Sequence, residues 1–511
     1  MLQILSQYRK YYRSIRTQRL LLTCFLILLP AMQTDAQDDP WPFWGRTTTR
    51  ISNTTTIGPR TPNIIWSIEY DPDPSADTLN RSSVVMDAQR RLFLAGQAQA
   101  GVIAIDSQKR KVLWQFLTSR TVSKTPAVWN GYVLFGETEL DFPFYCVDAD
   151  NGQLIWSFTT PLGFNVSPVV DPNGVAYFQD RGGTMFARRV ADGSEVWTTD
   201  LIRANGSPAL QWPNLLVGEQ NELNIAGLDP LTGQLKWTFP VFLLLVGMPV
   251  ITNSQVLDGS WDHNLYALDP DTGKMNWLFQ GESSNDGAVA VGHDGTIYTV
   301  TSGGFGRLYA ISPVDGKELW RWIAPGGEMF SAPIVDGRGT IYLTSGAGDR
   351  RGWVIAINPD GTELWTKQMP DECNGSPMLA PDGTLYIVCR DRYLYAFRDN
   401  AKPLLQFLDA LKPGGNNFKI KIEDITPGGQ VAILMAPAEG KFTVPTTNQI
   451  CPGVSLELAE KGMRFVDVIT ANQNGIAIIE GDEISRNRYT GWYLQAVDLQ
   501  TCEASNTDTI F

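Results

Sequence analysis

Short apolar runs, separated by turns rich in glycine, succeed one another along most of the chain. Residues 167–199 show one unit. Ser167-Pro168-Val-Val-Asp is a brief apolar run, and Pro172-Asn173-Gly174 is a turn. Val175–Gln179, Thr184–Val190 and Glu195–Thr199 are further runs, parted by Arg181-Gly182-Gly183 and Ala191-Asp192-Gly193-Ser194. Short runs joined by Asn-Gly and Asp-Gly turns predict a four-stranded antiparallel meander. No helical periodicity of useful length interrupts it. One such sheet buries little, so copies must pack face to face around an axis.

The copies are countable. The clearest reads Leu265-Tyr-Ala267-Leu-Asp269-Pro-Asp-Thr272-Gly273-Lys-Met-Asn-Trp277, and related copies end at Trp114, Trp156, Trp197, Trp237, Trp320 and Trp365. The steps between these tryptophans are 42, 41, 40, 40, 43 and 45 residues, the period of a propeller blade. That gives seven complete repeats. An eighth begins at Ser376-Pro377 and stops after Tyr393-Leu-Tyr-Ala396-Phe, without a fourth strand. Upstream, Ile64–Glu69 with Trp66 reads as a fourth strand lacking the other three. Joining the halves predicts an all-β, eight-bladed propeller over 64–400, closed by the strand 64–69 and free of open sheet edges.

The repeat Ala-x-Asp-x-x-Thr-Gly-x-x-x-Trp resembles that of pyrroloquinoline-quinone-type propellers. That family includes quinoprotein alcohol dehydrogenases and a periplasmic propeller lipoprotein of outer-membrane protein assembly. Six repeats keep the glycine, at 152, 193, 233, 273, 316 and 361, whereas blade one has Arg110. The resemblance implies that Trp66, Trp114, Trp156, Trp197, Trp237, Trp277, Trp320 and Trp365 pack between neighbouring blades. It implies fold more strongly than function.

The chain ends do not follow the repeat. Arg9, Lys10, Arg13, Arg16 and Arg19 precede the apolar run Leu20–Met32, and Thr34-Asp35-Ala36 offers a cleavage point. Residues 1–36 therefore read as a signal peptide, and 37–63 as an N-terminal extension. Membrane association is expected only if that segment is uncleaved, or lipidated at Cys24. The destination is secreted, periplasmic or cell-surface. After 400, residues 401–417 read as a linker, with a short helix over Ala401–Lys412. Residues 418–511 read as a small β-sandwich-like domain with strands near Phe418–Ile425, Val431–Met435, Val454–Leu458, Phe465–Thr470, Ile476–Ile479 and Trp492–Val497.

Charge and cysteine narrow the function classes. Of 511 residues only two are histidine, and the net charge is −13, which argues against a general nucleic-acid binder. Export makes disulfides relevant. Cys373 and Cys389 flank a hairpin turn at Ala380–Gly383 and fall nearly opposite each other, so they are expected to pair. Cys451 and Cys502 are then the remaining pair, and Cys146, at a position that is alanine in other repeats, is expected buried and free.

Candidate chemistry is sparse. Quinone-dependent relatives in the resembled family carry a disulfide between adjacent cysteines, and this sequence has no Cys-Cys pair. Asp148-Ala-Asp150-Asn151-Gly152 and Asp269-Pro-Asp271-Thr272-Gly273 read as turns rather than Ca²⁺ loops. His263 and His293 have no ligand or general-base spacing around them. No cofactor, metal or catalytic residue is expected. Asn53, Asn80, Asn165, Asn205 and Asn374 begin glycosylation sequons. One connection breaks the pattern of polar inter-blade loops: Val241, Phe242, Leu243, Leu244, Leu245 and Val246 are consecutive and apolar. An exposed interface and a loop folded inward over the channel are both open readings. The favoured function is an exported noncatalytic scaffold binding protein or another surface macromolecule. A quinone-dependent redox protein and a carbohydrate-binding or adhesive surface protein are the alternatives.

Overall fold

The structure is a computed structural model that describes residues 41–399 except 71–81, 97–100, 139–140, 142, 165, 202–205, 221–222, 246–247, 304–305, 326 and 347–350, and beyond 399 the strands of the tail. Among the described residues there is no helix. Eight four-stranded antiparallel sheets form the propeller. Blade three, for example, runs Val169–Val170, Val175–Gln179, Thr184–Arg189 and Glu195–Asp200, from the channel outward. Blade eight takes its outermost strand from the other end of the chain: Ile64–Glu69 pairs with Tyr393–Phe397, with Trp66 opposite Ala396 and Ser67 opposite Tyr395.

The repeated tryptophan is a hook into the next blade. Its indole N–H donates to a carbonyl in the outer turn of the neighbour: Trp156 to Val190 at 2.7 Å, Trp197 to Pro230 at 2.9 Å and Trp277 to Pro313 at 3.0 Å. The conserved spacing to glycine follows from this contact. Gly273 has φ +66°, and a Cβ there would lie 2.5 Å from the Trp237 ring. In blade one Arg110 occupies the same left-handed conformation at φ 54°. Inner strands are stitched by hydroxyls. The Ser83 amide donates to Thr125 Oγ1, Ser167 to Ser207 Oγ and Ser376 to Ser83 Oγ, each at 2.8 Å.

Residues 41–58 form a strap across the face that carries the inner-strand turns. It exchanges backbone hydrogen bonds with Met86, and its carbonyls at Pro42, Thr48, Thr49, Ile51 and Ser52 accept from Val128, Leu210, Ile251, Val291 and Val335 in succession. Those residues end the inner strands of blades one, two, four, five, six and seven. Arg50, fully buried, sends Nε to Pro208 O at 2.8 Å, Nη2 to Ser167 O at 2.7 Å and Nη1 to Trp44 O at 3.2 Å. Blade three is thereby included. Farther along, the Pro59 carbonyl accepts the Trp365 indole at 3.0 Å, substituting for the outer turn that blade eight lacks.

Cys373 and Cys389 form a disulfide, and Cys146 is a buried free thiol; Cys451 and Cys502 lie outside the described residues. The bridge closes a loop of 16 residues at one edge of blade eight. Reduction is expected to cost about 3 kcal/mol by freeing the unfolded chain, read as a lower urea midpoint with a somewhat steeper slope.

The tail corrects one expectation. Leu404–Phe407, placed in a linker with a short helix, is a strand paired with Phe418–Glu423. Apolar side chains at Leu404, Leu405 and Phe407 have local helical spacing, but tertiary pairing decides. Two sheets follow: Leu404–Phe407, Phe418–Glu423 and Ala477–Gly481 in one, and Arg464–Thr470, Gln430–Ala436, Tyr493–Asp498 and Glu503–Ala504 in the other. The hairpin Glu439–Thr443 with Ser455–Leu458 is additional.

Candidate functional site

The face opposite the strap carries the inter-blade connections, and the apolar one among them divides by side chain. Val241 and Leu245 are 7% and 1% exposed, packed between blades four and five with Val217, Ile225, Val256 and Tyr266. Phe242 is 85% exposed and Leu243 52%, while Leu244 is half-buried. Val246 lies outside the described residues. The six residues therefore do not act as one patch: two anchor the loop, and two face solvent.

The loop is held from beneath. The Phe242 amide donates to Asp262 Oδ2 at 3.2 Å, and Ser260 Oγ donates to Leu243 O at 3.0 Å. The Trp261 amide donates to Leu244 O at 3.1 Å, and the Val241 amide to Leu223 O at 2.7 Å. Asp262 Oδ2 also accepts from the Tyr266 hydroxyl at 2.5 Å, fixing the carboxylate. These bonds bring the exposed side chains of Trp261 and Leu223 to the same loop. The sequence reading missed both. A signal existed for one of them: Trp261 stands in an inner turn whose sisters read Asp180-Arg181-Gly182 and Arg390-Asp391-Arg392.

Deeper in blade five, Asp258 is fully buried, and neither carboxylate oxygen has a hydrogen-bond partner. The strand registers put Leu94, Phe135, Phe178, Leu343 and Ile387 at the equivalent positions of blades one, two, three, seven and eight, with Gly218 and Thr299 in blades four and six. Burial pushes the Asp258 carboxyl up to about 8, against the pull of the Gly259 amide. It is a neutral acid at pH 7, in a place that five other blades fill with a hydrocarbon.

The other candidates are structural. His293 Nε2 lies 3.1 Å from Thr54 O and 3.2 Å from Asp336 O, tying the strap to blade seven. His263 occupies a turn at φ 74°. Asp148 Oδ1 accepts from the amides of Asp150 and Asn151, and Asp269 Oδ1 from those of Asp271 and Thr272, so both are turn acceptors. Asn53 donates to Val291 O, and buried Asn374 to Glu372 Oε2, leaving neither amide displayed for a glycan. Asn80, Asn165 and Asn205 lie outside the described residues.

A quinone and its cation do not match these residues. The disulfide joins cysteines 16 residues apart, not adjacent ones. The strap, with Trp44 and Arg50, occupies one end of the channel. Among the described residues no three His, Cys, Asp or Glu side chains are grouped to hold a metal ion.

Comparisons with known proteins agree on the repeat. The chain is 25% identical over 306 residues to the outer membrane protein assembly factor BamB of Moranella endobia, covering 54% of this chain and 74% of that protein. It is 24% identical over 292 residues to the quinoprotein alcohol dehydrogenase PedH of Pseudomonas putida, covering 51% of this chain but only 45% of PedH. Similar solved structures are BamB from Moraxella catarrhalis, with TM-score 0.53, 16% identity and 66% and 98% of the two chains covered, and a europium-containing methanol dehydrogenase, with 0.56, 12%, 68% and 89%. At such identities these structures speak for the fold alone. The profile of the family described as outer membrane protein assembly factor BamB matches residues 53–199, 98–243 and 261–399. With most of the propeller so matched, the chain belongs to that family of PQQ-type propeller-repeat proteins.

Proposed function

We propose that the protein is an exported, noncatalytic propeller scaffold that holds a protein partner on its open face through Phe242, Leu243 and Trp261. The leader 1–36 is removed on export, and the tail domain over 418–511 is an accessory unit. The carrying observation is the exposed apolar group on a loop that backbone and side-chain hydrogen bonds hold in place. Such an apolar centre, supported from below and ringed by polar loops, has the composition of a binding hot spot. The printed name of one relative, an outer-membrane assembly factor, favours a scaffold in the cell envelope. Quinoprotein relatives are equally similar, so the choice rests on the site, whose residues do not suit a quinone.

A photoreactive amino acid at position 242 of the full chain, expressed in its native host, is expected to yield one dominant protein adduct. Phe242→Asp with Trp261→Asp is expected to weaken that partner's binding about thirtyfold, since truncated hot spots cost ~2 kcal/mol or more. The melting temperature should move little, because Phe242 is almost wholly exposed and Trp261 is covered only in part. A variant that folds and still binds the partner as tightly places the binding surface elsewhere.

A further inference from the structure

A second site lies on the strap face, between blades four and five, where the repeat leaves a gap that other blades fill. In blade three the Tyr177 hydroxyl lies 3.2 Å from Asp171 Oδ2 and 3.1 Å from Pro230 O of blade four, closing the crevice. In blade seven Tyr342 does the same with Asp336 and Pro59. Blade five spans its gap with Gln255, whose Nε2 donates to Pro313 O at 2.8 Å.

Blade four has none of these. Its register puts Gln211 where blade three has Asp171, Val217 where it has Tyr177, and Leu215 where blade five has Gln255. The result is a cleft of about 550 Å³. Pro270 supplies its exposed apolar surface, with buried Leu215 beneath. Gln211, Asn214, Asn253, Lys236 and Asp271 supply its walls, and the Lys236 ammonium is steadied by a 2.5 Å bond to Asn214 O.

We propose that this cleft binds a neutral oligosaccharide. Its volume is within the range of small-ligand sites. Three carboxamides each offer both donors and an acceptor, the pairing that vicinal hydroxyls require. One ammonium and one carboxylate balance, so nothing in the wall selects an ion over a neutral polar ligand. The Pro270 ring suits the C–H face of a sugar ring. This site is separate from the open face, and the two readings stand or fall independently.

Isothermal titration of the full chain with cellohexaose, chitohexaose and maltohexaose tests it. Binding of at least one is expected. Asn253→Trp, which fills the cleft from an exposed turn, is expected to abolish that binding at unchanged melting temperature. Gln211→Ala is expected to weaken it about tenfold, the loss of a small number of hydrogen bonds. The Phe242→Asp/Trp261→Asp variant should bind the sugar as the parent does. Failure of all three sugars overturns the proposal, as does full binding by folded Asn253→Trp. So does preference for a sulfated hexasaccharide that vanishes in Lys236→Ala, which would make the cleft an anion site.

Discussion

Replacing Arg50 by alanine is expected to lower stability by about 4 kcal/mol, on the order of half of what a typical domain has. The guanidinium satisfies three buried carbonyls from three places: the strap's own Trp44, Ser167 of blade three and Pro208 of blade four. Each buried acceptor left alone costs ~1–3 kcal/mol, and the vacated side-chain volume adds to that. Arg50 contributes no ion pair among the described residues, and burial pulls its pKa down to about 9, so it stays charged at neutral pH. Urea unfolding of Arg50→Ala beside Arg60→Ala checks the claim. Arg60 is exposed, and its removal should move the midpoint little. Equal effects for the two would show that the strap is not keyed by Arg50.

Asp258→Leu is expected to stabilise the protein, and by an amount that grows with pH. The folded carboxyl titrates near 8, whereas an unfolded aspartate titrates near ~4. Between these values the folded state holds a proton that the unfolded state has released. Stability of the parent therefore falls as pH rises through that window, by at most ~1.4 kcal/mol per unit. Leucine carries no such burden and matches the residues found at this position in blades seven and eight in kind. Around Asp258, Tyr266 sits directly opposite, with its hydroxyl pushed up to about 12 and so neutral throughout; Asp262 is engaged by Tyr266 and the Phe242 amide. The difference in unfolding free energy between variant and parent should grow by about 4 kcal/mol between pH 5 and pH 8, and then level off. A difference that is flat from pH 5 to 9 would mean that Asp258 is not a buried neutral acid.

The propeller was legible because its information is periodic. Trp-to-Gly spacing and Asp-Gly turns are local signals that recur, so an error in one copy is corrected by the next, and an orphan strand at one end answers a missing one at the other. The strap was not legible for the opposite reason. Residues 41–58 pair with successive blades through backbone carbonyls, which carry no side-chain signature, and Arg50 donates only to carbonyls. The candidate site was half legible. Six apolar residues stood out against polar sister loops, but their division into anchors and exposed side chains depends on Ser260 and Asp262, which reach the loop from the next blade. Trp261 and Leu223 join them through space, not through sequence. The cleft beside Gln211 was hidden altogether, since it consists of what blade four lacks.

The strap also sets an order of events in time. Trp44 bonds to Ser376 across 332 positions, and Thr61 to Asp399 across 338. If the chain crosses a membrane from its N-terminus, Trp41 and Pro42 find partners in blades one and two, but Trp44 and Thr61 lack theirs until the last blade exists. Contacts of such separation form late and slowly, because the entropy of the intervening chain must be lost first. Blades assembled meanwhile stand as an unsealed arc with two bare edges, the species most exposed to proteases and to wrong pairing. Pairing of Ile64–Glu69 with Tyr393–Phe397 turns that arc into a ring in one step, and blade eight is then complete only while both ends of the chain are in place.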